Sequence, residues 1–292
     1  MSYEIHDLPH EDWPPLLKQI PDPPQKLRFA GTMTPNGNKL LAVVGSREMT
    51  PYGKEAIETI MGWLKGAPVT IVSGLALGVD GTAHRGALRN NLHTISVPGS
   101  GLSQRVMYPS NNAKLAEEIV ESAGGLLSEF EDDFRATPFS FPQRNRIMAG
   151  MSDATLIIEA KDKSGSLITA RLALEYNRDV GIVPGNIFSP QSQGVNKLLR
   201  DGAHAIIEKQ DIFELLKLKI DAISDNATQK TLFEKLSPEE KEIIDLLQSG
   251  AKETDEIITQ SSLTPSMVLA IISSLSLKGL IKEQMGEISL NS

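Results

Sequence analysis

The chain of 292 residues contains no cysteine, which excludes disulfides, thiolate metal sites and a cysteine nucleophile. It has no apolar run long enough to span a membrane. Its N-terminus is polar and proline-rich and does not resemble a signal peptide, so a cytoplasmic protein is expected. Aromatic residues make up only 5% of the chain, and most of them are expected in the core. Of five histidines, His6, His10, His93 and His204 stand isolated and form no recognisable metal set, so neither metal nor cofactor is expected. Positive charge is short as well, with a formal net charge of −8. Polyanion binding draws on clustered Lys and Arg, so the distribution matters more than the sum. Residues 221–292 carry a net −6, which leaves −2 on residues 1–220, and a nearly neutral body can present one basic face.

With 40% hydrophobic residues the chain can bury a full core, and its length fits one large domain and one small. Strand-like runs near 41–45, 69–73, 93–97, 125–128, 154–159, 179–183 and 204–207 alternate with helical stretches. That alternation predicts an α/β fold, a Rossmann-like and mostly parallel sheet with helices on both faces, over residues 39–218. Residues 1–38, with Trp13-Pro14-Pro15 and Pro21-Asp22-Pro23-Pro24, read as an irregular proline-rich arm packed over that domain. Residues 219–235 turn polar and aperiodic, as a linker would.

Residues 236–292 then read as a winged-helix-like domain. Ser237-Pro238, Thr254 and Thr264-Pro265 start three helices, and Leu280-Ile281 and Ile288-Ser289-Leu290 flank Met285-Gly286 as a hairpin. The expected recognition helix, Ser266 to Leu277, has no Arg, Asn or Gln to read base edges. A protein-contact or regulatory role is preferred for this domain, and a stabilising appendage stands beside it.

Four segments fall where strands of the large domain end. Gly45-Ser46-Arg47 closes the run from Leu41, offering a close backbone approach and a planar cationic fork before a helix from Pro51 to Lys65. Ser73-Gly74 closes the second run and leads into a helix with Asp80 and His84. Phe139, Phe141, Arg144, Asn145 and Arg146 interleave aromatic and basic residues, a pattern suited to a flexible nucleic-acid strand. Gly165, Ser166 and Thr169 open a further helix. Ligands of open parallel sheets bind beyond the carboxyl ends of the strands, so one composite site is expected.

In order along the chain, Gly45-Ser46-Arg47, Ser73-Gly74-Leu75-Ala76 with Gly78, Asp80, Ala83 and His84, Tyr108-Pro109 with Asn112, and Gly125 with Ser128-Glu129 resemble the DNA-processing protein A (DprA, Smf) family. The likeness continues through Phe141-Pro142, Arg144-Asn145-Arg146, Glu159, Ser164-Gly165-Ser166 with Thr169-Ala170, Val183-Pro184-Gly185, Gly194, Asn196 and Gly202-Ala203. The resemblance covers residues 14–207. It implies a binder of single-stranded DNA that helps load a RecA-type recombinase in transformation, DNA processing or repair, with a single-strand-binding protein as a further possible partner. Many family members carry a helical domain before the arm, and here only about a dozen residues precede it.

On this reading Arg47, Arg144 and Arg146, with Lys114 or Arg171 nearby, form the basic face, and Gly45, Ser46, Gly165 and Ser166 add donors. Tyr108, Phe139 and Phe141 are the candidate base-stacking residues. Catalysis is not expected. The alternative is a sensor or N-glycosidic hydrolase for a nucleotide-type ligand, as in the related cytokinin-activating phosphoribohydrolases. Their motif places a catalytic Glu three residues after a Gly-Thr pair, whereas Gly165-Ser166 is followed by Leu167, Ile168 and Thr169, and the next carboxylate is Glu175. Asp80 and His84, four apart, suit metal or acid–base work, but a helix-start Asp paired with its His is preferred. Glu129 and Glu159 form either a carboxylate pair or, preferably, salt bridges that position Arg144 or Arg146. One crevice would hold only a few nucleotides, so a homodimer through the Rossmann-like domain is expected.

Overall fold

A computed structural model describes residues 3–219, 236–247, 252–277, 280–284 and 287–290. The chain divides into two compact units, Met1–Ala222 and Ile223–Ser292. The first is built on nine strands: β1 His6–Asp7, β2 Arg28–Gly31, β3 Lys39–Val44, β4 Val69–Ser73, β5 His93–Ser96, β6 Gly125–Ser128, β7 Ala154–Ile157, β8 Asp179–Ile182 and β9 His204–Ala205. Its helices are α1 Pro51–Trp63, α2 Val79–Arg89, α3 Ala113–Glu121, α4 Ser140–Met151, α5 Gly165–Glu175, α6 Gln193–Arg200 and α7 Lys209–Leu215.

Sheet order is β1-β2-β6-β5-β4-β3-β7-β8-β9. The seven strands from β6 to β9 along this row are parallel. Every residue of β4 and all but the first of β3 are buried, as a parallel sheet covered on both faces requires. Right-handed crossovers place α1, α2 and α3, which contact one another in sequence, on one face, and α5, in contact with α4, on the other. The chain moves outward from β3 through β4, β5 and β6, then returns to lay β7 on the other side of β3. The loops leaving β3 and β7 therefore diverge and open a crevice between them.

Local chemistry sets the first helix. Thr50 caps α1, its hydroxyl accepting from Gly53 N at 3.3 Å, and Pro51 supplies the preset φ of the first turn. The proline-rich arm is more ordered than its composition predicts. Residues Arg28–Gly31 form β2, antiparallel to β6 with Phe29 opposite Leu127. Four residues flanked by Arg28 and Gly31 are too few to show a strand period, and pairing with β6 provides what propensity lacks. Trp13, Leu17 and Ile20 of the arm are buried in the same core as Ile147 and Met148 of α4.

The second unit contains α8 Pro238–Leu247, β10 Lys252–Glu253, α9 Thr254–Gln260, α10 Pro265–Leu277, β11 Ile281–Gln284 and β12 Glu287–Leu290. Ser237 and Glu240 bond each other's backbone N–H groups in a capping box. β11 and β12 pair antiparallel from Ile281–Leu290 inward, and β10, a strand without a signal of its own, joins β12. Ile243, Ile244, Val268, Leu275 and Ile288 form the core. Of the expected linker at 219–235, residues 220–235 lie outside the described residues, as does the hairpin turn Met285-Gly286. No helix of the described residues is long and apolar enough to cross a membrane.

Candidate nucleic-acid interface

At the switch point between β3 and β7 lies a cleft of about 720 Å³. Gly45, Ser46 and Arg47 line it from β3, Asp80 from α2, Phe141, Arg144 and Asn145 from α4, and Ser164, Gly165, Ser166 and Thr169 from the start of α5. A recess of about 40 Å³ shares Arg47, Phe141 and Arg144 with it and reaches Gly74 and Tyr108. Four segments far apart in sequence thus meet at one place.

The loop after β3 is held from three sides. Ser46 Oγ donates to Gln191 Oε1 at 3.1 Å and accepts from Glu48 N at 3.0 Å, and Gln191 Nε2 reaches Glu48 O at 3.0 Å. Val79 N donates to Ser46 O at 3.1 Å, tying the loop to α2. Gly78 makes that contact possible. Its φ of +75° is left-handed, and a Cβ there would stand 2.3 Å from Ser46 O. Ser46 is therefore a staple of the loop, and Arg47, exposed, is the group the loop presents. The Arg47 guanidinium lies over the Phe141 ring, 5.0 Å from its centroid, and Tyr108 leans on the same ring at 5.6 Å.

Arg144 differs in every respect from Arg47. It is 4% exposed, and its Nη1 donates to Val97 O. Its Nε has no hydrogen-bond partner among the described residues. Burial and the nearby Arg47 push its pKa down to about 10 against the pull of Asp80, and at neutral pH it remains a cation. Burial likewise raises Asp80, opposed first by Arg144 and then by the N–H groups of Ala76 and Gly74. The Gly74 N to Asp80 Oδ2 bond measures 3.2 Å.

On the far wall Ser164 caps α5, its hydroxyl accepting from Ser166 N at 3.4 Å. Lys161 and Lys163 complete the lining. Lys161 pairs with Glu48 at 2.5 Å, while Lys163 is exposed beside the helix start. Neither lysine was among the expected site residues, although a Lys-Asp-Lys run between a strand end and a helix cap carries the signal.

Several expectations are corrected by the geometry. Arg146 is outside the cleft: it donates to Asp22 O at 2.7 Å and to Glu129 Oε2, clamping the arm. Two residues along a helix point to nearly opposite sides, so it does not join Arg144 in the cleft lining. Lys114 and Arg171 are also outside the lining. Lys114 sits on α3, which follows β5, two strands from the switch point, and its nearest acid is Glu118 at 4.0 Å. Ser73 Oγ is spent on Val43 O at 2.6 Å, because strand alternation turns it into the sheet. Phe139, 87% exposed, stands just before α4 and outside the lining, and Tyr108 is half exposed.

Glu159 pairs with no arginine. It accepts from Thr50 N at 2.9 Å and Thr50 Oγ1 at 2.6 Å, fixing the start of α1. Asp80 and His84 do not pair either: Asp80 accepts from Gly74 N in the loop after β4, and His84 turns to Thr94 of β5. His84 Nδ1 lies 2.8 Å from Thr94 Oγ1, whose hydroxyl donates to Ile71 O, so Nδ1 carries the proton by assignment. Burial drives the His84 pKa down to about 3.

Known proteins resemble this chain in sequence and fold. The model of DNA recombination-mediator protein A matches residues 5–217, and that of the DprA winged helix domain matches residues 227–287. Protein Smf of Escherichia coli (strain K12) is 38% identical over 80% of the chain, which spans 61% of that relative's length. DNA processing protein DprA of Bacillus subtilis (strain 168) is 39% identical over 70% of the chain and 69% of its own. A solved structure of DNA processing protein A from Helicobacter pylori, described for its single-stranded DNA binding mode, superposes with a TM-score of 0.65. It is 35% identical and covers 74% of this chain and 96% of its own. Matched in both of its units and over most of its length, the chain belongs to the DNA recombination-mediator protein A family.

Proposed function

We propose that the switch-point cleft binds single-stranded DNA and that the protein acts as a recombination mediator, helping to load a RecA-type recombinase. One observation carries the reading: an exposed arginine preset on an aromatic ring beside a buried arginine with a spare donor, rimmed by two lysines. Such a site offers phosphates charge and fixed donors while its walls admit unpaired bases. Gly45, Ser46, Arg47, Gly74, Arg144, Asn145, Gly165, Ser166 and Thr169 are retained as its members, with Lys161 and Lys163 added. Tyr108, Phe139 and Phe141 remain the stacking candidates.

Binding without catalysis is the proposed mode. The first carboxylate of α5, Glu175, closes the helix and is remote from its N-terminal Gly165 at the cleft. A homodimer is proposed to line up two clefts for one strand. Ile207, exposed just after the short edge strand β9, and the exposed Ile187-Phe188 loop offer apolar area that a second copy would cover. Light scattering that shows only monomer at micromolar concentration would remove this part.

The test is fluorescence anisotropy of labelled oligo-dT and a matched duplex across a salt series. Preferential single-strand binding that weakens with salt, and a loss of about tenfold in Arg47→Ala, or about 1.4 kcal/mol, is expected. A folded protein that binds neither DNA at low salt refutes the reading.

A further inference from the structure

Two acids line a cleft whose other charged residues are cations, and they are held differently. Asp80 is buried and accepts from Gly74 N. Glu48 is exposed, and its Oε2 accepts from Lys161 Nζ at 2.5 Å. This ion pair joins the loop after β3 to the loop after β7, the two loops between which the cleft opens. Its side chains are 76% and 52% exposed, so both stay open to exchange with a ligand of the cleft.

The two loops are joined without this pair. Gln191 O accepts from Ala160 N at 2.8 Å, its Oε1 accepts from Ser46 Oγ at 3.1 Å, and its Nε2 donates to Glu48 O at 3.0 Å. Glu48 N in turn donates to Ser46 Oγ at 3.0 Å. The main chain of Glu48 is therefore fixed at both its N–H and its C=O, and the carboxylate adds only an exposed contact of a kind that contributes little to stability. What the carboxylate does hold is the ammonium of Lys161. Carboxylate and phosphate oxygens are equivalent acceptors for such a cation, and both make short charge-assisted bonds with it. We propose that the Glu48 carboxylate marks the position of a strand phosphate: it occupies Lys161 in the free protein, and a bound single strand displaces it and takes the ammonium. Glu48 is thus a built-in competitor that sets the affinity of the cleft, and its contact is weak enough for a phosphate to exchange. This deepens the single-strand reading and rests on it.

The experiment is a cycle of Glu48→Gln, Lys161→Gln and the double variant, each titrated with labelled oligo-dT across a salt series, with folding followed by circular dichroism and melting. Glu48→Gln is expected to bind about two- to fivefold more tightly than the wild type, the range an exposed ion pair spans. Its slope of log K against log salt should steepen by roughly 0.7, as for one more phosphate neutralised on a single strand. Lys161→Gln is expected to bind more weakly. In the double variant there is no ammonium left to compete for, so Glu48→Gln should give no gain over Lys161→Gln alone. An acid that merely repels the strand would give the same gain in both backgrounds, and that result overturns the proposal. So does a Glu48→Gln protein whose affinity is unchanged, whether or not it melts at a lower temperature. Binding that falls with Arg47→Ala while Glu48→Gln has no effect sinks the competitor and keeps the DNA reading, whereas a folded wild type that binds no oligo-dT removes both. Should a variant fail to fold, wild-type NMR decides: saturating oligo-dT must shift the Glu48 side-chain carboxyl resonance, and an unmoved resonance overturns the proposal.

Discussion

Arg144 and Arg146 stand two residues apart on α4 and lead separate lives. Arg144 lines the cleft beside Arg47, with Nη1 bonded to Val97 O and Nε unpaired among the described residues. Arg146 turns to the arm, where Asp22 and Glu129 take up its fork. One basic motif therefore divides into a cleft-lining half and a structural half, and the divide follows from helix geometry, which sends neighbours at that spacing to different faces. Charge count alone does not identify a binding residue. What identifies it is whether the protein has already satisfied the donors.

The contrast predicts different kinds of damage. Arg146→Ala leaves Glu129 buried and uncompensated, so it should cost roughly 3–5 kcal/mol in denaturant unfolding while leaving the salt slope for oligo-dT intact. A stable Arg146→Ala protein with weakened DNA binding would erase the division between the two arginines. A buried histidine on α2 also makes the fold acid-sensitive. His84 is neutral in the fold with a pKa of about 3, below its ordinary value of 6.5. The unfolded chain takes up the proton as pH falls below that value and the fold does not, so His84 contributes stability at neutral pH that is lost on acidification. The expected loss is about 1.4 kcal/mol per pH unit below pH 6, read from unfolding midpoints, and His84→Gln should flatten that slope.

Smaller effects sharpen the same comparison at the rim. Lys163→Ala removes an exposed cation with no buried partner, and a weakening of oligo-dT binding by about 0.2–1 kcal/mol is expected, with stability unchanged. The smallest effect belongs to the other unit. In α10, Met267 and Leu269 are exposed at 44% and 51% where a DNA-reading helix would carry polar side chains. Replacing both by serine should change stability by no more than about 0.5 kcal/mol and leave single-strand affinity as it was. A drop in affinity would move part of the binding into the winged-helix unit.

Much of the architecture was legible because continuous apolar runs such as 69–73 and 125–128 have one reading when helices separate them: the buried strands β4 and β6. The loop at Gly45-Ser46-Arg47 was legible as well, since an apolar run that breaks at Gly-Ser ahead of a capped helix marks a strand end. β2 was not, because its partner β6 lies far along the chain and supplies the hydrogen bonds that make it a strand. Ser73 and Arg146 looked like site residues from their neighbours, and only strand alternation and helix phase turned them away. Lys161 and Lys163 were overlooked for the opposite reason: an exposed loop between β7 and α5 acquires meaning once β7 is known to lie beside β3.

The sequence by itself determined the alternation of strands and helices, the break into two units, and the glycine-rich loops at the strand ends. Those are local properties, set by side-chain period, capping residues and backbone freedom. Tertiary structure decided which cations face the cleft, that Ser46 and Glu159 hold loops in place, and that Asp80 bonds Gly74 while His84 turns to Thr94. Most of these are pairings between residues distant in the chain, and a buried group takes the partner that the sheet order brings to it, which no local pattern encodes.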